Sequence, residues 1–365
     1  MEGIRILELF GGIGAIRKAF ERQNIPHKVI DYVEIDKYAV ASYNAMFNEN
    51  FNVANIKEWD KQIDVDFIMH GSPCQDFSVA GKQAGGNLGS GTRSSLMYET
   101  VRIVGKLRPK YVMWENVKNL LSKKHKHNFD AYIETMNILG YNSYYQVLNA
   151  KDYGIPQKRE RVYTVSIRKD IDKGTFKFPE KEELKLILKD RLEDKVDEKY
   201  YLSNKMLNYI LDINETQKGT AWESRVDEEI LNQDIAHTIG VRSAGGNQRF
   251  GVSNFVVEGC NKKIKVKEFK SAYIRDFGSR GKLQDVNGCC DTLVAAMGTG
   301  GGNVPIIKNN IRIRKLTPKE CWRLMGFNDE DFDKAEKVNS NTQLYKQAGN
   351  SIVVNVLEKI LQQLF

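Results

Sequence analysis

Ile4-Arg5-Ile6-Leu7-Glu8-Leu9 runs directly into Phe10-Gly11-Gly12-Ile13-Gly14, and a helix-like stretch, Ala15–Gln23, follows. An apolar run, a glycine turn and a helix in that order read as the opening unit of a layered α/β fold. Glycines in such a turn let the backbone approach a nucleotide-like ligand closely, and the helix start offers free N–H groups. The full Gly-x-Gly-x-x-Gly spacing is missing, which disfavours a dinucleotide site.

The alternation continues outward from this unit. Lys28–Val33 reads as a second strand, followed by a helix over Lys37–Phe47. Glu34 ends that strand about twenty residues after the glycine turn, where an acid accepts the hydroxyls of a ribose. Asn55-Ile56 frames a third side of the same pocket, and Phe67–His70 reads as a third, buried strand. Gly71-Ser72-Pro73-Cys74-Gln75 then forms a stiff turn at the carboxyl end of that strand, the sheet edge where ligands bind in open α/β folds. Taken alone, Cys74 fits either a buried thiol acting as a small hydrophobe or a nucleophile.

Val79–Thr92 holds five glycines and no apolar period, and reads as a long loop beside Cys74. A helix over Ser94–Leu107 leads to a strand at Tyr111–Trp114, ending in Glu115-Asn116-Val117. A right-handed crossover between the third and fourth strands brings Cys74 and Glu115 to one edge. A helix at Phe129–Leu139, a strand at Tyr144–Leu148, a loop at Gln157–Arg161 and a strand at Val162–Ile167 extend the pattern, with Arg161 placed to reach inward. From about Thr175 the character changes to a charged helical stretch, Glu180–Asp197, and then short strands between glycine clusters, which marks a second domain. Thr317 and Pro318 open a late helix as N-cap and first-turn residue, and Gly349-Asn350-Ser351 leads into a final helix over Ile352–Leu364.

At 365 residues and 41% hydrophobic content the chain has enough apolar material for one large core and a smaller one. No apolar run approaches the roughly 18 residues that span a bilayer. Its five cysteines are odd in number and lack Cys-x-x-Cys spacing, so reduced thiols are expected and no metal site is. The net charge is +8, and it is unevenly placed. Residues 184–235 carry 8 Lys/Arg against 12 Asp/Glu, whereas residues 236–317 carry 14 against 5. A polyanion partner fits the second segment, as does a solvated strand face.

Phe10-x-Gly12-x-Gly14, Gly71-x-Pro73-Cys74-Gln75, Glu115-Asn116-Val117, Gln157-x-Arg159-x-Arg161, Arg314-Lys315-Leu316-Thr317-Pro318-x-Glu320 and Gly349-Asn350-Ser351 resemble, in this order, the motif series of the bacterial and phage DNA cytosine-5 methyltransferases. The resemblance spans residues 4–183 and about 312–362. It implies a Rossmann-like S-adenosylmethionine-dependent catalytic domain, residues 1–183 plus 316–365, and a smaller, mainly β or irregular target-recognition domain, residues 184–315. It further implies S-adenosylmethionine as methyl donor, S-adenosylhomocysteine as product and Cys74 as nucleophile toward carbon 6 of a flipped-out cytosine in duplex DNA. Glu115 would act at ring nitrogen 3, with Arg161 and Arg159 completing the catalytic set.

By the same resemblance Phe10, Gly12, Gly14, Asn350 and Ser351 surround the methionine end of the donor, Glu34 its ribose, and Ile35, Asn55 and Ile56 its adenine. Many relatives carry an aromatic residue where Ile35 stands, an acid at Asn55 and a phenylalanine at Ser72. DNA contacts are expected from Gln75, Ser78, Arg93, Arg242, Gly245, Arg249, Thr292 and Gly300. The implied setting is a monomer in the cytoplasm, associated with the nucleoid, with a restriction endonuclease as a functional counterpart in a restriction-modification system or else an orphan modification enzyme. An RNA cytosine methyltransferase and a catalytically silent DNA-binding protein are the alternatives.

Overall fold

A computed structural model describes residues 3–72, 96–201, 255–257, 283–285, 287–293, 306–309 and 312–365. Cys74, Gln75, Ser78, Arg93, Arg242, Gly245, Arg249 and Gly300, with the Val79–Thr92 loop, lie outside the described residues.

Six strands form the main sheet: β1 (Ile4–Leu9), β2 (His27–Val33), β3 (Phe67–His70), β4 (Tyr111–Val117), β5 (Tyr141–Asn149) and β7 (Glu160–Arg168), in the order β2-β1-β3-β4-β7-β5. The first four are parallel, as the spacing predicts, and their crossovers include α1 (Ala15–Arg22), α2 (Lys37–Phe47) and α3 (Met97–Leu107). Strands β3 and β4 are neighbours, with His70 opposite Trp114. The last step is different. After α4 (Lys126–Ile138) and β5, only the short stretch 150–159 precedes β7, too little for a parallel crossover. Strand β7 therefore turns back antiparallel and inserts between β4 and β5.

That insertion corrects two expectations. Ladder pairing with β7 extends β4 beyond Trp114 to Val117, so Glu115 lies within the strand rather than after it. Likewise 157–161 is no loop: Gln157–Lys158 forms the short strand β6, and Glu160 and Arg161 begin β7. The helix expected over Glu180–Asp197 is also absent. The described stretch is irregular with short 3-10 turns at Leu188–Arg191 and Glu198–Tyr200, because its backbone bonds to other parts of the fold. Glu182 N–H donates to the Asp152 carbonyl, Leu188 N–H to Gly288, and Arg323 reaches the carbonyls of Arg191 and Leu192. Leu188 is fully buried in the core.

The carboxyl-terminal helices α5 (Pro318–Arg323), α6 (Asp329–Glu336), α7 (Asn341–Asn350) and α8 (Val354–Leu364) share that core. Thr317 caps α5 as expected, its side chain accepting from Glu320 N–H while the Glu320 carboxylate accepts from Thr317 N–H at 2.7 Å. The Arg314 guanidinium holds both Glu320 oxygens, at 2.9 and 2.8 Å, inside the core. Four further strands, β8 (Phe255–Val257), β9 (Leu283–Asp285), β11 (Ile306–Asn309) and β12 (Arg312–Lys315), make a small sheet of order β12-β11-β8-β9. A two-residue strand, β10 (Cys290–Asp291), pairs parallel with β6.

Candidate active site at the carboxyl edge of the sheet

The glycine turn after β1 is tightly wound. Phe10, Gly12 and Gly14 all take positive φ, at 53°, 54° and 77°. A methyl group at Gly14 would meet the rings of Phe47 and Tyr43 at 2.5 and 2.7 Å, so this glycine is needed for packing. A methyl at Gly12 would meet nothing within 4 Å, so this backbone faces open space. The turn is held from below: Tyr32 stacks on Tyr43 with centroids 4.0 Å apart, and the Tyr32 hydroxyl donates to the Gly12 carbonyl at 2.6 Å. Tyr43 donates in turn to Glu8 Oε1 at 2.7 Å. Glu8 is buried, and burial pushes its carboxyl up to about 7.

Glu34 closes the turn from the side. One carboxylate oxygen accepts Gly12 N–H at 3.1 Å and the other Asp36 N–H at 2.8 Å, which ties the end of β2 to the glycine turn. Burial pushes this carboxyl upward against those two bonds. A carboxylate has room for about four donors, so the backbone N–H groups of Gly12, Asp36 and Ile35 leave acceptor capacity for a further one. Ile35 is 67% exposed, a large apolar side chain left open beside the turn. Ile56, by contrast, is buried in the core with Trp59, and the Asn55 amide is engaged by Lys57 N–H and by Glu58.

Ser72, two residues before Cys74 in sequence, is anchored to β4. Trp114 Nε1–H donates to Ser72 Oγ at 3.0 Å and the Asn116 amide to the Ser72 carbonyl at 3.2 Å, both buried. Glu115 lies between Trp114 and Asn116 in sequence, with its side chain on the other face of β4. Trp114 itself is wedged between His70, stacked at 5.5 Å, and Tyr132 at 4.3 Å, which fixes its indole. Burial pushes the His70 imidazole down to about 3, so it is neutral at neutral pH.

Arg161 faces Val117 across the β4–β7 ladder, one pleat from Glu115, and its Nε lies 3.1 Å from Glu115 Oε1. Burial pushes the Glu115 carboxyl up, and Arg161 and then Arg159 oppose the shift. Burial thus favours the protonated carboxyl, and the two guanidinium groups favour the carboxylate. Arg159 is buried and spends its donors on backbone carbonyls: Leu293 at 2.9 Å, Gly349 at 3.3 Å and Ser351 at 2.7 Å. Ser351 is buried at the end of α7 and Asn350 beside it is exposed. Thr292 donates its hydroxyl to the Lys158 carbonyl at 2.6 Å, within the seam between β6 and β10.

Sequence reasoning therefore named Glu115, Arg161 and the glycine turn, which the fold gathers at one edge. It missed Glu8, Tyr32 and Tyr43 beneath the turn, and it quoted Gln157 in its motif without assigning it a role in the seam. The alternation of Gln157, Arg159 and Arg161 was the available signal for the last of these.

The comparisons with known proteins agree with this fold. The family model described as C-5 cytosine-specific DNA methylase matches residues 4–365. The type II methyltransferase M2.ScrFI of Lactococcus lactis subsp. cremoris is 33% identical, with 99% of each chain covered. The orphan methyltransferase M.SPBetaI of Bacillus phage SPbeta is 31% identical over 100% of this chain and 98% of its own. The type II methyltransferase M.HhaI of Haemophilus parahaemolyticus is 33% identical over 99% and 94%. Among solved structures, the Entamoeba histolytica methyltransferase EhMeth superposes with a TM-score of 0.66 at 17% identity, over 100% of this chain and 98% of that one, a likeness of fold. With its family model matched almost end to end, the chain belongs to the C-5 cytosine-specific DNA methylase family and is a DNA (cytosine-5-)-methyltransferase.

Proposed function

We propose that the protein methylates carbon 5 of a cytosine flipped out of a specific duplex DNA site, using S-adenosylmethionine and a transient covalent bond from Cys74 to carbon 6. The observation that carries this reading is Glu115, buried and 3.1 Å from Arg161, on the strand whose Trp114 and Asn116 hold Ser72, two residues before Cys74 in sequence.

The donor fits the residues at the glycine turn: Gly12 opens onto free space, Ile35 offers an apolar wall, and Glu34 retains acceptor capacity. Bound there, S-adenosylmethionine supplies an electrophilic methyl group. Phe10, Gly12, Gly14, Asn350 and Ser351 would hold its methionine end, Glu34 its ribose and Ile35 its adenine. Asn55 and Ile56 would contribute as the backing of that wall.

Cytosine carbon 5 is a weak nucleophile until carbon 6 carries an electron-donating adduct. The Cys74 thiolate would make that bond as the carbon 5–carbon 6 double bond opens, and it would leave when a base takes the proton from methylated carbon 5 and the double bond re-forms. Glu115, with its carboxyl raised by burial, holds a proton at ring nitrogen 3 and draws electron density away from carbon 6. Arg161 orients Glu115 and the base. Flipping costs a few kcal/mol, met by contacts to the extruded base and to DNA phosphates. Residues 184–315 would read the site, and the basic segment 236–317 would neutralise phosphates. A cognate endonuclease would define a restriction-modification role.

Bisulfite sequencing of DNA from cells expressing the protein should show one methylated cytosine context. Incubation with duplex DNA carrying 5-fluorocytosine in that context should trap a covalent complex. Cys74→Ala should abolish both methylation and trapping while DNA binding persists, and Glu115→Gln should slow methylation by about 10²–10⁴-fold. Methyl transfer by the alanine variant would overturn the adduct.

A further inference from the structure

Arg159 bonds to two places far apart in sequence. One is the Leu293 carbonyl, in the segment that follows β10; the other is the pair of carbonyls at Gly349 and Ser351. The Leu293 segment is locked in place by several bonds. Cys290 N–H donates to the Pro156 carbonyl at 2.6 Å, Thr292 to the Lys158 carbonyl, and Leu293 N–H to Gln157 Oε1 at 3.1 Å. The Gln157 amide donates onward to the Leu324 carbonyl at 2.8 Å, and both Cys290 and Leu293 are buried in the main core. The donors of Arg159 thus reach both this seam and the 349–351 turn.

The geometry points to Arg159 as the positioning residue that couples seating of the target-recognition segment to methyl-donor binding, so that duplex DNA and donor raise each other's affinity. The inference rests on the proposed donor contact at the Asn350-Ser351 turn. A guanidinium is suited to the task because its planar fork presents several donors in fixed directions, whereas a lysine ammonium is one flexible point charge. Movement of the seam shifts the Leu293 carbonyl, the fork follows, and the Gly349 and Ser351 carbonyls follow the fork. Arg159 acts on the donor through these carbonyls and touches neither donor nor base. The coupling is reciprocal, as linkage requires.

The test measures S-adenosylhomocysteine affinity by calorimetry, without DNA and with a saturating duplex that carries the site mapped by bisulfite sequencing. The wild-type protein should bind at least about fivefold more tightly with the duplex present. In Arg159→Lys the ratio should fall below about twofold, with DNA-free affinity and unfolding midpoint recorded alongside. Gln157→Met loosens the seam without touching the 349–351 turn and should also lower the ratio, which decides the matter if Arg159→Lys does not fold. A folded Arg159→Lys, or failing that a folded Gln157→Met, that retains the wild-type ratio would overturn the inference. So would a wild-type ratio of one. Failure of the wild-type protein to bind S-adenosylhomocysteine at all would instead refute the donor reading.

Discussion

Glu8→Gln should change how stability depends on pH. Glu8 is 1% exposed beneath the glycine turn, with one oxygen bonded to Tyr43 and the other buried without a partner. Burial raises its carboxyl from 4.5 to about 7; the Tyr43 bond and then the Arg17 charge oppose the rise, and Glu21 adds to it. Below 4.5 the group is protonated in folded and unfolded chains alike and costs nothing. Between 4.5 and about 7 the unfolded chain ionises while the folded one keeps its proton, so stability falls with pH by about 1.4 kcal/mol per unit. Above 7 the penalty levels off. A glutamine keeps an acceptor for Tyr43 and never ionises. The stability of Glu8→Gln relative to wild type should therefore improve by about 2.5 kcal/mol between pH 5 and pH 8, and any constant cost of the amide cancels in that difference. Glu34, Glu115 and Glu358 shift in the same direction but are common to both proteins. Urea unfolding followed by the fluorescence of buried Trp114 and Trp322 measures it. Parallel pH profiles for the two proteins, within about 0.5 kcal/mol, would refute the claim that a buried carboxyl supports the turn.

Three other expectations follow from the same geometry. Ser72→Ala strands the buried Trp114 indole N–H and should cost about 1–3 kcal/mol, and adding Trp114→Phe should recover part of it in a double-mutant cycle. Gly12→Ala should lose about 1–2 kcal/mol to left-handed strain yet abolish S-adenosylhomocysteine binding, whereas Gly14→Ala should lose a further 1–3 kcal/mol, roughly, to overlap with Phe47 and Tyr43; calorimetry and thermal melts separate the two. Arg314→Met leaves the buried Glu320 carboxylate without its cation and should cost about 3–5 kcal/mol in urea unfolding.

Elements bounded by local signals were legible in the sequence. The run Ile4–Leu9, the span Lys37–Phe47 and the short strand Phe67–His70 coincide with the structure because the strands are continuous apolar runs and the helix is capped by Asp36 and by left-handed Asn48. Thr317 and Glu320 likewise announce their helix through a capping box three residues wide. Glu180–Asp197 misled because its charged residues suit a solvated helix, while its actual partners, Asp152, Gly288 and Glu320, are distant in sequence. The support of the glycine turn was hidden for the same reason: Tyr43 meets Glu8 across 35 residues and stacks on Tyr32 from another element.

The reversal of β7 explains why the arginine motif has its spacing. In a parallel sheet every strand begins at the edge opposite the site, so only an antiparallel strand can bring its first residues to the carboxyl ends of the others. Strand β7 does so next to β4, with Arg161 opposite Val117. Side chains along a strand return to one face every second residue, about 6–7 Å further on. Gln157, Arg159 and Arg161 obey that period, and their bonds go to successive targets: Leu324 and Leu293, then Leu293, Gly349 and Ser351, then Glu115. Lys158 and Glu160, out of phase, pair elsewhere, Glu160 with Lys118 at the surface. A spacing that reads as a basic loop is therefore strand β6, a break at Arg159 and the start of strand β7. Its direction, which no local pattern encodes, is set by the short 150–159 connection that forbids a parallel return.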